Sequence, residues 1–264
     1  MKPLYIENIS LYGPGLPNWH EAASILRAPE AYLGETLAPL QSPFLSPGIK
    51  RKTTLHMQLA IYAADKALEG TDVDPSQIEL VFASSEGDLD VTHHICYALT
   101  LESKPVSPTK FQNSILNAAA GHLGILTKNT ASATTVTAAS HSLAVGLLQS
   151  CATALVEEAP VLFVSYDAPA LLKVKSDTAT IEPFAVGFLL RPNASKRSLA
   201  SLQLELREGR ETTKIEHDTL SKVAERSSTA GVLPLMMALA RGEEASIALS
   251  YSPDQVLGVE VVPC

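Results

Sequence analysis

Ser140, His141 and Ser142 stand in a row, and a hydroxyl beside an imidazole is the raw material of nucleophilic acyl transfer. That chemistry needs the hydroxyl within about 3 Å of a ring nitrogen and a third group orienting the ring. Consecutive residues of a helix do not face each other, and the sequence has no G-x-S-x-G elbow. Ser140 and His141 therefore read as structural or pocket-lining groups. A stand-alone acyl hydrolase or transferase using Ser140 is the alternative. His93, His94 and Cys96 form a second candidate set. One- and three-residue spacings on a helix make a poor joint metal-ligand set, and no second cluster completes a tetrahedron. Cys151 lies among apolar neighbours, where a thiol behaves as a small hydrophobe. Glu86, Gly87 and Asp88 form an acidic turn, read as a cap for the helix that follows. No residue pattern calls for a metal or a cofactor.

The elements that position Ser140 and His141 lie in Ser132 to Leu148. Ala133 to Thr137 is rich in Thr and Val and predicts a short buried strand. Ala139 to about Val156 is apolar on nearly every side and predicts a helix lying inside the protein. Between them, Thr137-Ala138-Ala139-Ser140 makes a tight strand-to-helix turn. Such a turn aims backbone N–H groups and the positive end of the helix dipole at whatever sits above it.

The flanking chain reads as an α/β layered domain with a mixed sheet. Strands are expected at Leu4–Tyr12, Glu79–Ser84, Pro160–Tyr166 and Phe184–Leu190. Six prolines punctuate Gly13 to Gly48, which predicts an irregular surface wrap with at most two short helices, one near Trp19–Leu26. Helices are expected at Thr54–Glu69, capped by Thr53 or Thr54 and ended by Gly70, at Leu89–Leu101, and at Phe111–Thr127. The last is full of small residues that suit close packing. After Arg191 the pattern thins, with strands at Leu199–Leu206, Ile247–Tyr251 and Leu257–Val262 and helices at Thr219–Arg226 and Ala230–Ala240. No boundary interrupts the chain, so residues 1–264 read as one domain, with a core over 1–190 and a closing α/β segment over 191–264.

The 264 residues are 46% apolar with a net charge of −8. That composition supports one large core and argues against a nucleic-acid partner. Three cysteines without paired spacing suggest reduced thiols and a cytoplasmic location. The N-terminal residues lack a signal-peptide apolar core. No run of uninterrupted apolar residues reaches the ~18 to 20 of a membrane helix, so no membrane span is expected.

Thr137-Ala138-Ala139-Ser140 resembles the Thr-Ala-Cys-Ser/Ala/Thr motif of condensing enzymes of the β-ketoacyl synthase (thiolase-like) family. Three further segments fit in order and spacing. They are Arg51-Lys52-Thr53-Thr54 before an Ala-rich helix, Val81-Phe82-Ala83-Ser84-Ser85-Glu86-Gly87-Asp88, and Ser107 to Ser114 followed by Asn117-Ala118-Ala119-Ala120-Gly121. The resemblance covers most of Leu4 to Leu190 and implies a thiolase-like layered α/β/α fold, shortened by loss of the family's second half. It also places Ala139 where the family carries its nucleophilic Cys, and a methyl group cannot attack a thioester. The family's two catalytic histidines sit in Gly-rich turns, and none occurs after Leu190, where the only histidine is His217.

The chain is most similar to the short ketosynthase-like proteins of aryl-polyene-type pigment clusters. This implies a non-catalytic, chain-length-factor-like subunit, paired as a heterodimer with an active β-ketoacyl synthase and meeting acyl carrier protein through that partner. In such pairs the strand holding Val136 lies at the interface, paired with its counterpart across a two-fold axis. Side chains of one subunit close the acyl tunnel of the other, and Tyr97, Phe111, Ile115 and Leu116 are the bulky candidates here. Phe111 is either such a tunnel stop or ordinary core. If it is core, Phe111→Ala costs ~3 to 5 kcal/mol. Asn113, Asn117 and His122, on a helix expected to be buried, either satisfy internal hydrogen bonds or line an acyl tunnel.

Overall fold

In the computed structural model of the chain, residues 2–34, 36–170, 180 and 182–264 are described. The elements run β1 (Leu4–Tyr12), α1 (Trp19–Arg27), α2 (Pro47–Lys50), α3 (Leu55–Leu68), β2 (Glu79–Ala83), α4 (Leu89–Thr100), α5 (Pro108–Gln112), α6 (Ala118–Thr127) and β3 (Ala133–Val136). They continue α7 (Ser142–Val156), β4 (Val161–Asp167), β5 (Phe184–Arg191), β6 (Ala200–Glu208), α8 (Asp218–Arg226), α9 (Leu233–Arg241), β7 (Ala245–Ser252) and β8 (Gln255–Pro263). The strands form one mixed sheet in the order β3-β2-β4-β5-β1-β6-β8-β7. β3, β2 and β4 are parallel, and the remaining pairings are antiparallel.

Alternation along the central strands decides which layer each side chain joins. Leu80, Phe82, Leu162, Val164 and Tyr166 face α3 and α6 in one core. Val81, Ala83, Val161, Phe163, Val186 and Phe188 face the other core, which holds α7, α1, α9 and the inward residues of β6–β8. β4 is buried at all seven positions, and its first four residues form a continuous apolar run rather than an alternating one. This is the layered α/β/α arrangement with a mixed sheet. α7 is wedged between the parallel strands and β7. It packs so closely that a Cβ built on Gly146 would lie 2.6 Å from Ala83 Cβ and 2.8 Å from Phe163 Cε2.

The helical run Ala139–Val156 is long and apolar enough on average to cross a membrane, although Ser140, His141, Ser142, Gln149 and Ser150 interrupt it. Its Leu143, Leu147, Cys151 and Ala154 are buried in the core, and that packing accounts for the composition.

Local chemistry explains the starts and stops. Thr54 caps α3 by accepting from the Met57 N–H, and Gly70 follows with φ +70°. Asp88 caps α4 through the Val91 N–H at 3.0 Å. The proline-rich segment does wrap the core. Tyr12 donates to the Ala38 carbonyl, Tyr32 to Pro14 and Tyr62 to Pro17. Burial, with smaller contributions from nearby carboxylates, pushes Tyr32 and Tyr62 up to about 12, so both stay protonated donors.

One helix departs from expectation. Phe111–Thr127 is not continuous but divides into α5 and α6 around residues 113–117. Ser107 caps the Lys110 N–H, Ser114 Oγ bonds back to the Phe111 carbonyl, and Asn113 Nδ2 donates to the Lys52 carbonyl at 2.8 Å. Short polar side chains that bond the backbone in this way compete with helix continuation.

Candidate functional site

The strand-to-helix turn is sharper than a simple junction. Ala139 opens a 3-10 turn, Ala139–His141, with φ +49°, a left-handed conformation that costs a non-glycine residue ~1 to 2 kcal/mol. Ser142 holds the turn closed. Its Oγ accepts the Ala138 N–H at 2.7 Å and donates to the Ala139 carbonyl at 2.8 Å. Thr137 Oγ1 donates to the Ser85 carbonyl at 2.9 Å, tying the turn to the end of β2. The chain thus holds a strained, exposed elbow whose side chain is a methyl group.

Ser140 and His141 belong to the 3-10 turn rather than to α7, and they do not join. Ser140 is exposed, while His141 Nδ1 lies 2.9 Å from Ser250 Oγ on β7. A cavity of about 530 Å³ adjoins Ser140 and is lined by Leu143, Lys214, Ser227, Gly231 and Ser250, among others. Nothing in this geometry activates the Ser140 hydroxyl.

The chain does contain a buried His, Ser and Asp in contact, which the sequence patterns did not reveal. His56 Nε2 lies 2.9 Å from Ser84 Oγ, and Ser84 Oγ donates to Asp167 Oδ1 at 3.1 Å. Ser84 Oγ also accepts the Gly87 N–H at 3.2 Å. Its single proton is spent on Asp167, so His56 Nε2 carries a hydrogen and donates it. Asp167 Oδ1 further accepts the Ser85 N–H and Oγ–H, both at 2.8 Å, and Oδ2 accepts from Thr229 Oγ1 at 2.8 Å. Ser165 then donates to Thr229 at 3.0 Å.

In an acyl-transfer triad the imidazole stands between acid and hydroxyl. Here the hydroxyl stands between acid and imidazole, and Ser84 is fully buried. The arrangement is a strut joining α3, β2, β4 and the Thr229 turn. Burial lowers the His56 pKa, with Asp167 and Asp88 opposing. The available signals were one histidine at the start of a largely apolar helix and one aspartate closing a largely apolar strand.

β3 is the outer strand of the sheet, and Val136 on it is half-buried against α7. Tyr97 is 58% exposed, Phe111 66%, Ile115 58%, Ile125 75% and Val156 76%. Phe111 is therefore not core, which removes that expectation. Leu116 is half-buried and Asn117 is exposed, and the Asn117 side chain makes no capping hydrogen bond to α6. His122 Nε2 lies 3.4 Å from Asn113 Oδ1. His93 and His94 are exposed on α4, where His93 stacks on Tyr97. Among the described residues, no group of three or more His, Cys, Asp or Glu is arranged to hold a metal ion.

Solved structures share this architecture. A chain of the complex between the ketosynthase ApeO and its chain length factor ApeC from Xenorhabdus doucetiae matches with TM-score 0.72 and 22% identity, covering 97% of this chain and 98% of that one. A chain of the ishigamide ketosynthase/chain length factor matches with TM-score 0.74 and 17% identity, covering 100% and 99%. A third match is the AntDE:AntF complex, a type II polyketide synthase acyl-carrier protein with its ketosynthase bound to the hexaketide. Its TM-score is 0.76 at 12% identity, with 100% and 99% covered. At these identities the likeness is one of fold. No curated protein matches the sequence. The family model for the β-ketoacyl synthase N-terminal domain matches residues 19–252. With a strained elbow between β3 and α7 of a thiolase-like sheet, and a family match over most of its length, the chain belongs to the β-ketoacyl synthase N-terminal domain family.

Proposed function

We propose that this chain is a catalytically inactive, chain-length-factor-like subunit. It pairs with an active β-ketoacyl synthase and shapes the acyl tunnel of that partner in fatty-acid or polyketide-type elongation, of the aryl polyene kind. The observation that carries the reading is the elbow. The left-handed geometry is retained at Ala139 although its side chain can accept no acyl group. A strained turn that performs no chemistry has a use if it holds the shape of a surface. The named ketosynthase and chain length factor pairs among the structural neighbours support the pairing. Acyl carrier protein is met through the partner, since net charge −8 disfavours docking an acidic carrier here. A cytoplasmic site follows from the three unpaired thiols.

The free edge of β3 and the apolar side chains around it are the docking face. The Leu80 N–H donates to the Ser132 carbonyl and the Ser84 N–H to the Val136 carbonyl. Alternate residues of a strand point their backbone groups to opposite edges, so Thr134 and Val136 bond inward to β2. Ala133 and Thr135 present theirs outward, as an exposed template for a further strand. Val136→Pro would therefore break the internal ladder, and Thr135→Pro is the variant that removes an outward donor.

The test is co-expression with a candidate ketosynthase, followed by affinity capture and size-exclusion chromatography. Stoichiometric co-elution is expected for the parent and loss of pairing for Thr135→Pro, with its own fold retained by circular dichroism. A parent chain that never co-elutes with a ketosynthase, or a Thr135→Pro chain that pairs undiminished, refutes the reading.

A further inference from the structure

The sheet ends on β3 at one side and on β7 at the other, and an uncovered end strand is a template for a strand of another chain. The two ends are not alike. At β3, among the described residues, no hydrogen bond reaches the outward N–H or C=O of Ala133 or Thr135. At β7 the middle of the outer edge is taken. The Ala248 N–H donates to Thr213 Oγ1 at 2.8 Å, and the Ala248 carbonyl accepts the Thr213 N–H at 3.0 Å. Both are ordinary hydrogen-bond lengths. Together they fill the donor and the acceptor that an added strand would use at this residue. Ile247 and Leu249, one place to either side, turn theirs to β8. Ser250, the next outward residue, is met by the elbow turn, with His141 Nδ1 2.9 Å from its Oγ.

Thr213 stands in the segment 209–217, which leaves β6 and crosses to α8. The segment is held at both ends. The Gly209 N–H donates to the Asp254 carbonyl at 3.0 Å and Arg210 Nε to Asp254 Oδ1 at 3.0 Å, which ties its start to the turn between β7 and β8. Ile215 packs against the core, and His217 accepts the Leu220 N–H as the cap of α8. Between these anchors Glu211, Lys214 and Glu216 are exposed, and charges beside an edge deter an incoming strand. Threonine suits the position because one residue offers a backbone donor and a side-chain acceptor. It answers both groups of Ala248 without the segment itself becoming a strand. An arm tethered within the same chain also acts at high effective concentration, so a strand from another molecule would have to displace it.

We infer that Thr213 guards the β7 edge, so that the sheet is extended at β3 alone and assembly of this chain stops at one strand-presenting partner. The reasoning is one of closure. A chain with two open edges can add a copy at each and propagate without end, whereas a chain with one open edge makes a closed pair and no more. Docking at β3 rests on the pairing proposed above. The guard at β7 is a property of this chain by itself, whichever strand β3 takes.

The test uses the full chain without a ketosynthase. Amide hydrogen exchange reads the β7 edge directly. Thr213→Val removes the Oγ1 acceptor but keeps the shape and the N–H, so the Ala248 amide exchanges about fivefold faster. The Leu249 amide, bonded to β8, is unchanged. Thr213→Pro removes donor and acceptor together. Light scattering over a dilution series then finds the parent no larger than a dimer and Thr213→Pro in concentration-dependent species larger than a dimer. Adding Thr135→Pro, which spoils the β3 edge, returns these to a dimer or less. Thr213→Val decides the matter if Thr213→Pro fails to fold. Four results would each overturn the guard: an Ala248 amide exchanging alike in parent and Thr213→Val, a folded Thr213→Pro chain as small as the parent, large species that persist with Thr135→Pro, or a parent that itself grows beyond a dimer. None of them bears on ketosynthase pairing, which keeps its own co-elution test.

Discussion

Phe111→Ala separates the two roles that a large ring at this position could have. Phe111 is 66% exposed, and a Phe side chain carries roughly 200 Å², so about 130 Å² of it remains in water in the free chain. Covering that area completely at about 25 cal/mol per Å² contributes about 3 kcal/mol, or roughly 150-fold in Kd. This is the upper bound, and partial cover by the partner brings the expected loss of affinity to about 10- to 150-fold. In the free chain the substitution leaves no cavity, and alanine is the better helix former in α5, so stability changes by no more than ~0.5 kcal/mol.

Two assays read this out. Thermal melting of the isolated chain should move by no more than about 2 °C, and titration against the ketosynthase should show the weakened Kd. If the ring closes the partner's tunnel, mass spectrometry of carrier-bound products at saturating subunit shows longer acyl chains. A free chain that loses 3 kcal/mol or more would return Phe111 to the core and refute the exposure argument. An unchanged Kd would remove it from the interface.

Other outcomes follow from the same geometry. Ala139→Cys, presented with acyl and malonyl carrier-protein substrates, should become alkylated or acylated at the new thiol yet yield no ketoacyl product. The single later histidine, His217, accepts the Leu220 N–H as the cap of α8. Product from the isolated variant would refute the inactive-subunit reading. Burial lowers the His56 pKa below 6.5, so the unfolded chain takes up this proton before the folded one does. Stability is then full above about pH 6.5 and falls as the pH drops below it. His122 shifts in the same direction. Urea midpoints should decline from pH 8 to pH 5.5, and more shallowly in His56→Gln. Of the three cysteines, Cys96 and Cys264 are exposed, whereas Cys151 is buried and its thiol is pushed up by burial. A disulfide reagent should therefore modify two thiols in the native protein and the third only after denaturation.

The central architecture was written locally along the chain. Largely apolar strands at Val161–Asp167 and Phe184–Arg191, Thr54 before an Ala-rich helix, and a Thr/Val strand before an apolar helix each carry their signal within a few residues. The motif that places Ala139 at the turn is likewise contiguous, so the position of that strand-to-helix elbow was legible without coordinates. What the sequence could not decide depends on partners far along the chain. α5 and α6 separate because Asn113 finds the Lys52 carbonyl 61 residues away. His56, Ser84, Asp167 and Thr229 meet because four elements converge at one end of the sheet, and no spacing in sequence encodes that meeting. Phe111 was ambiguous because an aromatic ring at a helix start reads alike whether its neighbours cover it or not. Only the packing around α5, which leaves Phe111 66% exposed, shows the ring standing in water. Hydrophobic pattern and capping act over single turns and strands, whereas burial is a property of the assembled layers.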